Sequence, residues 1–321
     1  MVSVLLPFYN AEAWLDECLI SIQNQSWTDW ECILYNDASQ DSGPRLAQQW
    51  AESDPRFRLF HNESGLPDLI RAQQACIREA RGAYVTRMDA DDRMHVQKLE
   101  KLRLGQELQN GPALSVGKVA FFGPELGVGT LEYQRWLNER VDRGDFAEHR
   151  YRECPVANPC WMLERPLAAQ LFEQLQYPED YDFVLRLYAL GIPFRACPEA
   201  LHHWREHPLR LSKTELYQTE RFTQLKWKHF QHQEKAPRMW LLGHGKKAKY
   251  ARTLMGNSLC GWLSERAHAE GNRLGADRLL HWKNAPILEG DAVLSFLSSL
   301  EDWSTLYQAL EANGARVYRW A

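Results

Sequence analysis

The sequence predicts an α/β fold with a mixed, mainly parallel sheet and flanking helices, followed by a small second α/β domain. Three observations predict it. Short apolar runs alternate with segments of helical period from the first residues on, which calls for crossover connections and so for parallel strands. Tyr9, Asp37 and Asp89 each stand at the end of such a run, where open parallel sheets bind their ligands. Near residue 237 the alternation restarts, with a strand, Gly243-His244-Gly245 and a helix.

Val2 to Leu6 is the first strand, stopped by Pro7-Phe8-Tyr9-Asn10. Trp14, Leu15, Cys18, Leu19 and Ile22 then recur at helical spacing. Glu31 to Tyr35 is a strand running into Asn36-Asp37-Ala38-Ser39, Pro44 to Ala51 a helix, and Phe57 to Phe60 a strand. Leu69 to Ala80 is helical, and Ala83 to Thr86 is a buried strand leading into Arg87-Met88-Asp89-Ala90-Asp91-Asp92-Arg93. Val96 to Gln109 is a helix and Ala113 to Phe122 a strand interrupted at Gly117. Residues 123 to 160 read as loops around a helix from Glu132 to Val141. Helices follow over Pro166 to Leu175 and Tyr181 to Leu190, a short strand over Phe194 to Cys197, and a helix from Thr214 to Gln233. These elements give a first domain over 1–235. The second, over 236–321, has strands at Met239 to Leu242, Leu259 to Leu263, Ala292 to Leu297 and Ala315 to Tyr318, and a helix at Ser304 to Asn313. It reads as a half-Rossmann unit.

With 321 residues, 45% apolar and 25% charged, the chain has the composition of a globular protein. A net charge of −4 offers no basic surface to nucleic acid. The seven cysteines form no CxxC pair and are odd in number, which fits a reducing cytoplasm better than a disulfide framework or structural zinc. No apolar run is long enough to span a bilayer, although a peripheral visit to the inner face of a membrane stays open. So does oligomerisation.

The acidic stretch carries the chemistry. Three carboxylates within four positions are costly to bury without a counter-ion. At a solvent-facing strand end they make a hard-oxygen site for Mg²⁺ or Mn²⁺, whose remaining positions substrate phosphates fill. A solvated acidic turn fits the same residues. Asp37 can accept hydrogen bonds from a ribose or a base edge, or can cap the next helix. Pro7 and Tyr9 can floor a nucleobase pocket or simply pack a turn. Glu179, Asp180 and Asp182 fall where a helix dipole favours acids, and a carboxylate there can also take a proton from an attacking hydroxyl. Arg205, His207, Arg210 and Ser212 form a phosphate-friendly set. Gly243-x-Gly245-x-x-Ala248, with Glu265 twenty positions on, matches a dinucleotide fingerprint. About 80 residues remain for that domain, roughly half of what a dinucleotide domain needs, so a packing or assembly role is preferred to tightly bound NAD.

In order and spacing, Ser3-Val4-Leu5-Leu6-Pro7-Phe8-Tyr9-Asn10, Asn36-Asp37-Ala38-Ser39, Ala80 to Val85, Met88 to Asp92 and Pro178-Glu179-Asp180-Tyr181-Asp182 resemble family-2 glycosyltransferases of the GT-A fold. The segment from Trp204 to Ser212, with the Gly-x-Gly unit behind it, resembles the subgroup of β-1,3-N-acetylglucosaminyltransferase-like proteins. The resemblance covers residues 2 to 230. It implies a nucleotide-sugar donor, usually UDP-linked, a divalent metal and inversion at the anomeric carbon. Pro7, Tyr9 and Asp37 would hold the nucleoside. Asp89 and Ala90 would contact the ribose or uracil side, Asp91 and Asp92 the metal, and Arg205 and His207 the donor. Asp180 would be the base. Arg71, Gln73 and Gln74 stand on the helix where many members carry an Asn, and Arg71 would serve a base or a phosphate. The acceptor would be a glycan or a lipid-linked glycan. Two other readings compete. One is a nucleotidyltransferase, although no Gly-rich loop follows the first strand. The other is a non-catalytic nucleotide-sugar-binding module.

Overall fold

The computed structural model describes the chain except for residues 108–110, 125, 209, 211–212, 214–218, 275–276, 298–302 and 321. It divides into two compact units, Met1–Phe146 with Pro155–Lys213 and Ala147–Cys154 with Thr214–Ala321.

The first unit is built on an eight-stranded sheet. Four strands are parallel: β1 (Val2–Phe8), β2 (Trp30–Asn36), β3 (Phe57–His61) and β4 (Tyr84–Arg87), in the order β3-β2-β1-β4. Every residue of β1 is buried, as expected of a strand covered on both faces. β7 (Trp161–Glu164) continues the sheet antiparallel to β4, then come β6 (Leu114–Phe122) and β8 (Phe194–Arg205), parallel to each other, and the two-residue β5 (Arg93–Met94). The register between β6 and β8 shifts on either side of Lys118 because β8 carries extra residues between Cys197 and His202, so β6 runs unbroken through Gly117 and the irregularity belongs to β8. A Cβ at Gly117 would stand 2.8 Å from Leu201 Cδ1.

Helices cover the sheet through periodic apolar faces. α1 (Leu15–Gln23) buries Leu15, Cys18, Leu19 and Ile22. α2 (Gly43–Ser53) follows β2. α3 (Leu69–Glu79) starts at Asp68, whose side chain accepts the Arg71 backbone N–H and satisfies one of the orphan donors at a helix start. α4 (Lys98–Glu107) and α6 (Arg165–Phe172) follow, and the end of the helix expected to reach Gln109 lies outside the described residues. Within the stretch 123–160 the structure has α5 (Val128–Arg143), longer than the expected helix and closed by Gly144 at φ 65°. α7 (Glu179–Ala189) carries Glu179, Asp180 and Asp182 in its first turn.

The second unit has its own core around Trp240, Leu242, Leu263, Val293 and Leu310. Its sheet contains β9 (Met239–Leu242), β10 (Gly261–Ser264), β12 (Asp277–His281), β13 (Ala292–Ser295) and β14 (Arg316–Arg319), all parallel, with the two-residue β11 (Arg273–Leu274) antiparallel on β12. The spatial order β12-β10-β9-β13-β14 is doubly wound, with its reversal between β9 and β13. That is a more complete unit than the half expected, because β12 adds a strand that the apolar pattern did not mark. α9 (Lys246–Met255) and α10 (Ser304–Ala312) connect strands. α8 (Thr219–Gln233), expected in the first domain, belongs with this unit. Its Phe230 lies against Tyr151, Tyr318 and Trp320. The expected start of that helix at Thr214 lies outside the described residues.

Candidate functional site

The carboxyl ends of β1, β2 and β4 carry the site. The loops after β1 and β2 are stitched together. Asn10 N–H donates to Ser39 Oγ (3.0 Å), Gln40 N–H donates to Asn10 Oδ1 (2.8 Å), and Ser39 N–H donates to Asn36 Oδ1 (3.0 Å). Asn10 and Ala38 both sit at positive φ, 49° and 63°, a conformation that non-glycine residues hold only where the surroundings impose it. Pro7 is buried in β1, while Tyr9 is exposed beyond it.

Asp37 is buried. Its Oδ1 accepts from Asn62 Nδ2 (2.7 Å) and its Oδ2 from the Asp68 backbone N–H (2.8 Å). Burial pushes its carboxyl above the ordinary pKa, against those two hydrogen bonds. Asp68 therefore links Asp37 to the start of α3, where Arg71 pairs with Asp68 at 3.3 Å and is otherwise exposed. Gln73 is buried and Gln74 donates to the Phe172 carbonyl (2.9 Å).

The three aspartates after β4 have different surroundings. Asp89 keeps 24% of its side chain exposed and binds Arg87, Nη2 to Oδ1 at 2.9 Å. The same guanidinium reaches Glu179 Oε1 at 3.0 Å. Arg87 and Glu179 are both buried, so this cation joins the acidic loop to the first turn of α7. Asp91 is also 24% exposed, and its Oδ2 lies 2.8 Å from His207 Nε2. Ala90, between them, is buried.

Asp92 differs. Its side chain is fully enclosed, with Oδ2 at 2.8 Å from His202 Nε2 and Oδ1 accepting the Arg205 backbone N–H at 2.7 Å. His202 Nδ1 lies 3.2 Å from Lys98 Nζ, which also donates to the carbonyls of Pro159 (2.6 Å) and Arg87 (3.5 Å). These three acceptors match the three N–H of an ammonium, so Nδ1 accepts and Nε2–H donates to Asp92. Burial drives the His202 pKa well down and keeps the ring neutral, while burial and the neighbouring Asp91 and Asp89 drive the Asp92 pKa up. Asp92 thus ties the acidic loop to β8. A metal ligand needs a reachable oxygen, and Asp92 presents none.

Arg205 donates from Nε to the Asp91 carbonyl (2.6 Å), pairs with Glu17 on α1, and lies over the Phe122 ring at 4.4 Å. His207 packs on Trp14 with ring centroids 4.4 Å apart. The basic segment therefore closes over Asp91 from β8, while Arg210 instead pairs with Glu206 (2.8 Å) over the Trp204 ring. Ser212, expected with this set, lies outside the described residues.

On α7, Asp180 is half-buried and its Oδ1 accepts its neighbour's backbone N–H, from Tyr181, at 2.8 Å. Asp182 is fully buried and turned to Arg186 Nε (2.9 Å) and Gln176 N–H (2.9 Å). The helix thus commits Glu179 and Asp182 to the scaffold. Sequence reasoning overlooked Arg87, Lys98 and His202. Their signal was a cation or imidazole standing where strand or helix period puts a buried side chain.

A model of glycosyl transferase family 2 matches residues 3–172. The uncharacterised glycosyltransferase EpsJ of Bacillus subtilis (strain 168) is 27% identical over 222 residues, 66% of this chain and 63% of EpsJ. The chain therefore spans less than two thirds of that relative. Among solved structures, S. aureus TarS 1-349 in complex with UDP-GlcNAc superposes with a TM-score of 0.54 at 16% identity, over 79% of this chain and 71% of that one. The mannosyltransferase PcManGT of Pyrobaculum calidifontis in complex with GDP-Man and Mn²⁺ gives 0.52 at 16% identity, over 80% and 70%. Both likenesses concern the GT-A fold. Among the described residues no helix is long and apolar enough to cross a membrane. The family match covers more than half of the chain, including the strands that deliver Asp37, Asp89 and Asp91, and the chain belongs to glycosyltransferase family 2.

Proposed function

We propose that the protein is an inverting, metal-dependent glycosyltransferase. It would move a sugar from a nucleotide-sugar donor, UDP-linked and carrying N-acetylglucosamine, to a hydroxyl of a glycan or lipid-linked glycan at the cytoplasmic face of a membrane. One observation carries the reading. The loop after β4 meets both His207, through Asp91, and the first turn of α7, through Arg87 and Glu179. Donor-facing and acceptor-facing carboxylates are thereby tied to one frame.

The residues fit a divalent cation. Asp91 offers a partly exposed carboxylate and His207 an imidazole nitrogen 2.8 Å from it, a donor set that suits Mg²⁺ less and Mn²⁺ more because of the nitrogen. Asp91 and His207 would hold the ion. A bound ion would neutralise charge developing on the departing diphosphate. Asp37 would accept from the nucleoside, with Tyr9 and Pro7 beside it, and Arg71 lies on the helix that Asp68 joins to Asp37. Asp89 and Ala90 would line the ribose side, and Arg205 would hold the loop by its grip on the Asp91 carbonyl. Asp180 would take the proton of the acceptor hydroxyl as its oxygen attacks the anomeric carbon. The bond to the diphosphate breaks, and nucleoside diphosphate leaves with inversion. The N-acetylglucosamine donor rests on the fold shared with TarS, which binds UDP-GlcNAc, and on the resemblance of the Trp204 to Ser212 segment.

The test is release of nucleoside diphosphate from UDP-, GDP-, dTDP- and ADP-sugars with Mg²⁺ or Mn²⁺. Release of UDP from UDP-GlcNAc, faster with the metal than with EDTA, is expected. Failure of every donor with Mn²⁺ would overturn the reading, and release of pyrophosphate would point to nucleotidyl transfer.

A further inference from the structure

We propose that the second unit contains a nucleotide site of its own, in the crevice beyond the carboxyl ends of β9, β10 and β13. Its ligand is a ribonucleoside carrying a 5′-phosphate group. The site shares no residue with the transferase machinery of the first unit and does not depend on it.

Five parallel strands in the order β12-β10-β9-β13-β14 place a switch point between β9 and β13, where neighbouring connections leave to opposite faces and open a crevice. On the sequence alone the unit reads as half of such a sheet, which favours a packing role, yet all five strands are formed.

The loop after β9 is shaped for close approach. Gly243 has φ 102°, and a Cβ there would stand 3.1 Å from the Phe296 carbonyl carbon beyond β13. Only glycine suits both constraints. Trp262 Nε1–H donates to the Gly243 carbonyl (2.5 Å) and holds the turn. Gly245 is the N-cap of α9, a ten-residue helix, and no side chain caps it. A Cβ on Gly245 would meet no atom within 4 Å, so the space in front of the helix start is open. Free N–H groups and the positive helix end favour an anion there. Lys246 and Lys247 occupy the first turn, where cations oppose the dipole unless an anion sits before them.

The second, independent observation is Glu265, at the end of β10. Its side chain is 5% exposed. Its Oε2 is buried and accepts no hydrogen bond, although it faces His244 Nε2 at 3.2 Å, between the two glycines. Oε1 pairs with Arg266 Nε at 3.1 Å. A buried carboxylate oxygen without a donor is costly, and a ribose hydroxyl would supply one. An acid at this strand end is where a doubly wound sheet reads a ribose diol, while the phosphate lies at the helix start.

The experiment is calorimetric titration of the full-length protein with ADP, NAD⁺ and 2′-deoxy-ADP. EDTA is present to silence metal-dependent binding in the first unit. Saturable binding of ADP or NAD⁺ is expected, with 2′-deoxy-ADP about tenfold weaker, in line with one lost hydrogen bond to a charged group. Gly245→Asp should weaken ADP or NAD⁺ by more than tenfold. It places a carboxylate where the phosphate would sit, yet Asp is a good N-cap in open space, so its unfolding midpoint should not fall and UDP-GlcNAc turnover should be unchanged. Asp37→Ala should leave ADP affinity unaltered. No saturation by ADP or NAD⁺ at millimolar concentration would refute the site. So would affinity that Gly245→Asp spares and Asp37→Ala removes, which would place the nucleotide in the first unit.

Discussion

Asp91 and Asp92 are neighbours with unlike environments, and the difference decides what each substitution should do. Asp91 is partly exposed beside His207, whereas both oxygens of Asp92 are taken by His202 and Arg205. Asp91→Asn should keep the shape and remove a charged ligand. Calorimetry of UDP with and without Mn²⁺ should then show the metal-dependent gain in affinity reduced by tenfold or more, and unchanged metal dependence would remove Asp91 from the metal site. Asp180 is the third case. Glu179 and Asp182 are committed to Arg87 and Arg186, and Asp180 matches the base position that the family resemblance implies. Asp180→Asn should lower transfer by about 10²-fold or more with donor affinity within a few-fold. Near-normal transfer would refute its role as base, and lost donor binding would recast it as part of the donor site.

At the scale of elements, β4 and α7 are joined by one buried guanidinium. Arg87 serves Asp89 and Glu179 together, so Arg87→Met takes a counter-charge away from the buried Glu179 carboxylate. Removing one partner of such a pair costs about 3–5 kcal/mol. Urea unfolding should therefore show Arg87→Met less stable by several kcal/mol, and adding Glu179→Gln should recover part of the loss. Equal stability of the single and double variants would mean that the pair is solvated. This bridge was not legible in the sequence, because nothing local marks Arg87 as the partner of a residue 92 positions away. The parallel strands β1 to β4 were legible, since each is an apolar run ending in a polar turn. β8 was cut short at Cys197 because Pro198 and Glu199 break the apolar pattern, yet the strand continues to Arg205 through a shift in its pairing with β6. That continuation carries His202 to Asp92 and brings Arg205 onto the loop.

Taken as a whole molecule, the chain showed two α/β units in its sequence, but the allocation of segments was not readable. Residues 147–154 and α8 pack with the C-terminal strands through Tyr151, Phe230 and Trp320, and such contacts between distant aromatics leave no periodic trace. The same cluster encloses a charge. Lys226 on α8 is buried, its Nζ donates to the carbonyls of Trp320 (3.1 Å) and Arg152 (3.4 Å), and burial lowers its pKa from 10.5 to about 8. Between pH 8 and pH 10.5 the unfolded chain therefore holds a proton at this site that the folded protein has released. Stability rises with pH wherever the unfolded state binds more protons, so the ammonium's burial cost is present in full below pH 8 and disappears by pH 10.5. A pKa lowered to this extent corresponds to a change of about 3 kcal/mol. Lys226→Met keeps the apolar stem and has no proton to release. Denaturant unfolding from pH 7 to pH 10.5 should show wild type gaining on Lys226→Met by that amount as the pH rises. Parallel stability curves for the two proteins would mean that Lys226 reaches water and keeps its ordinary pKa.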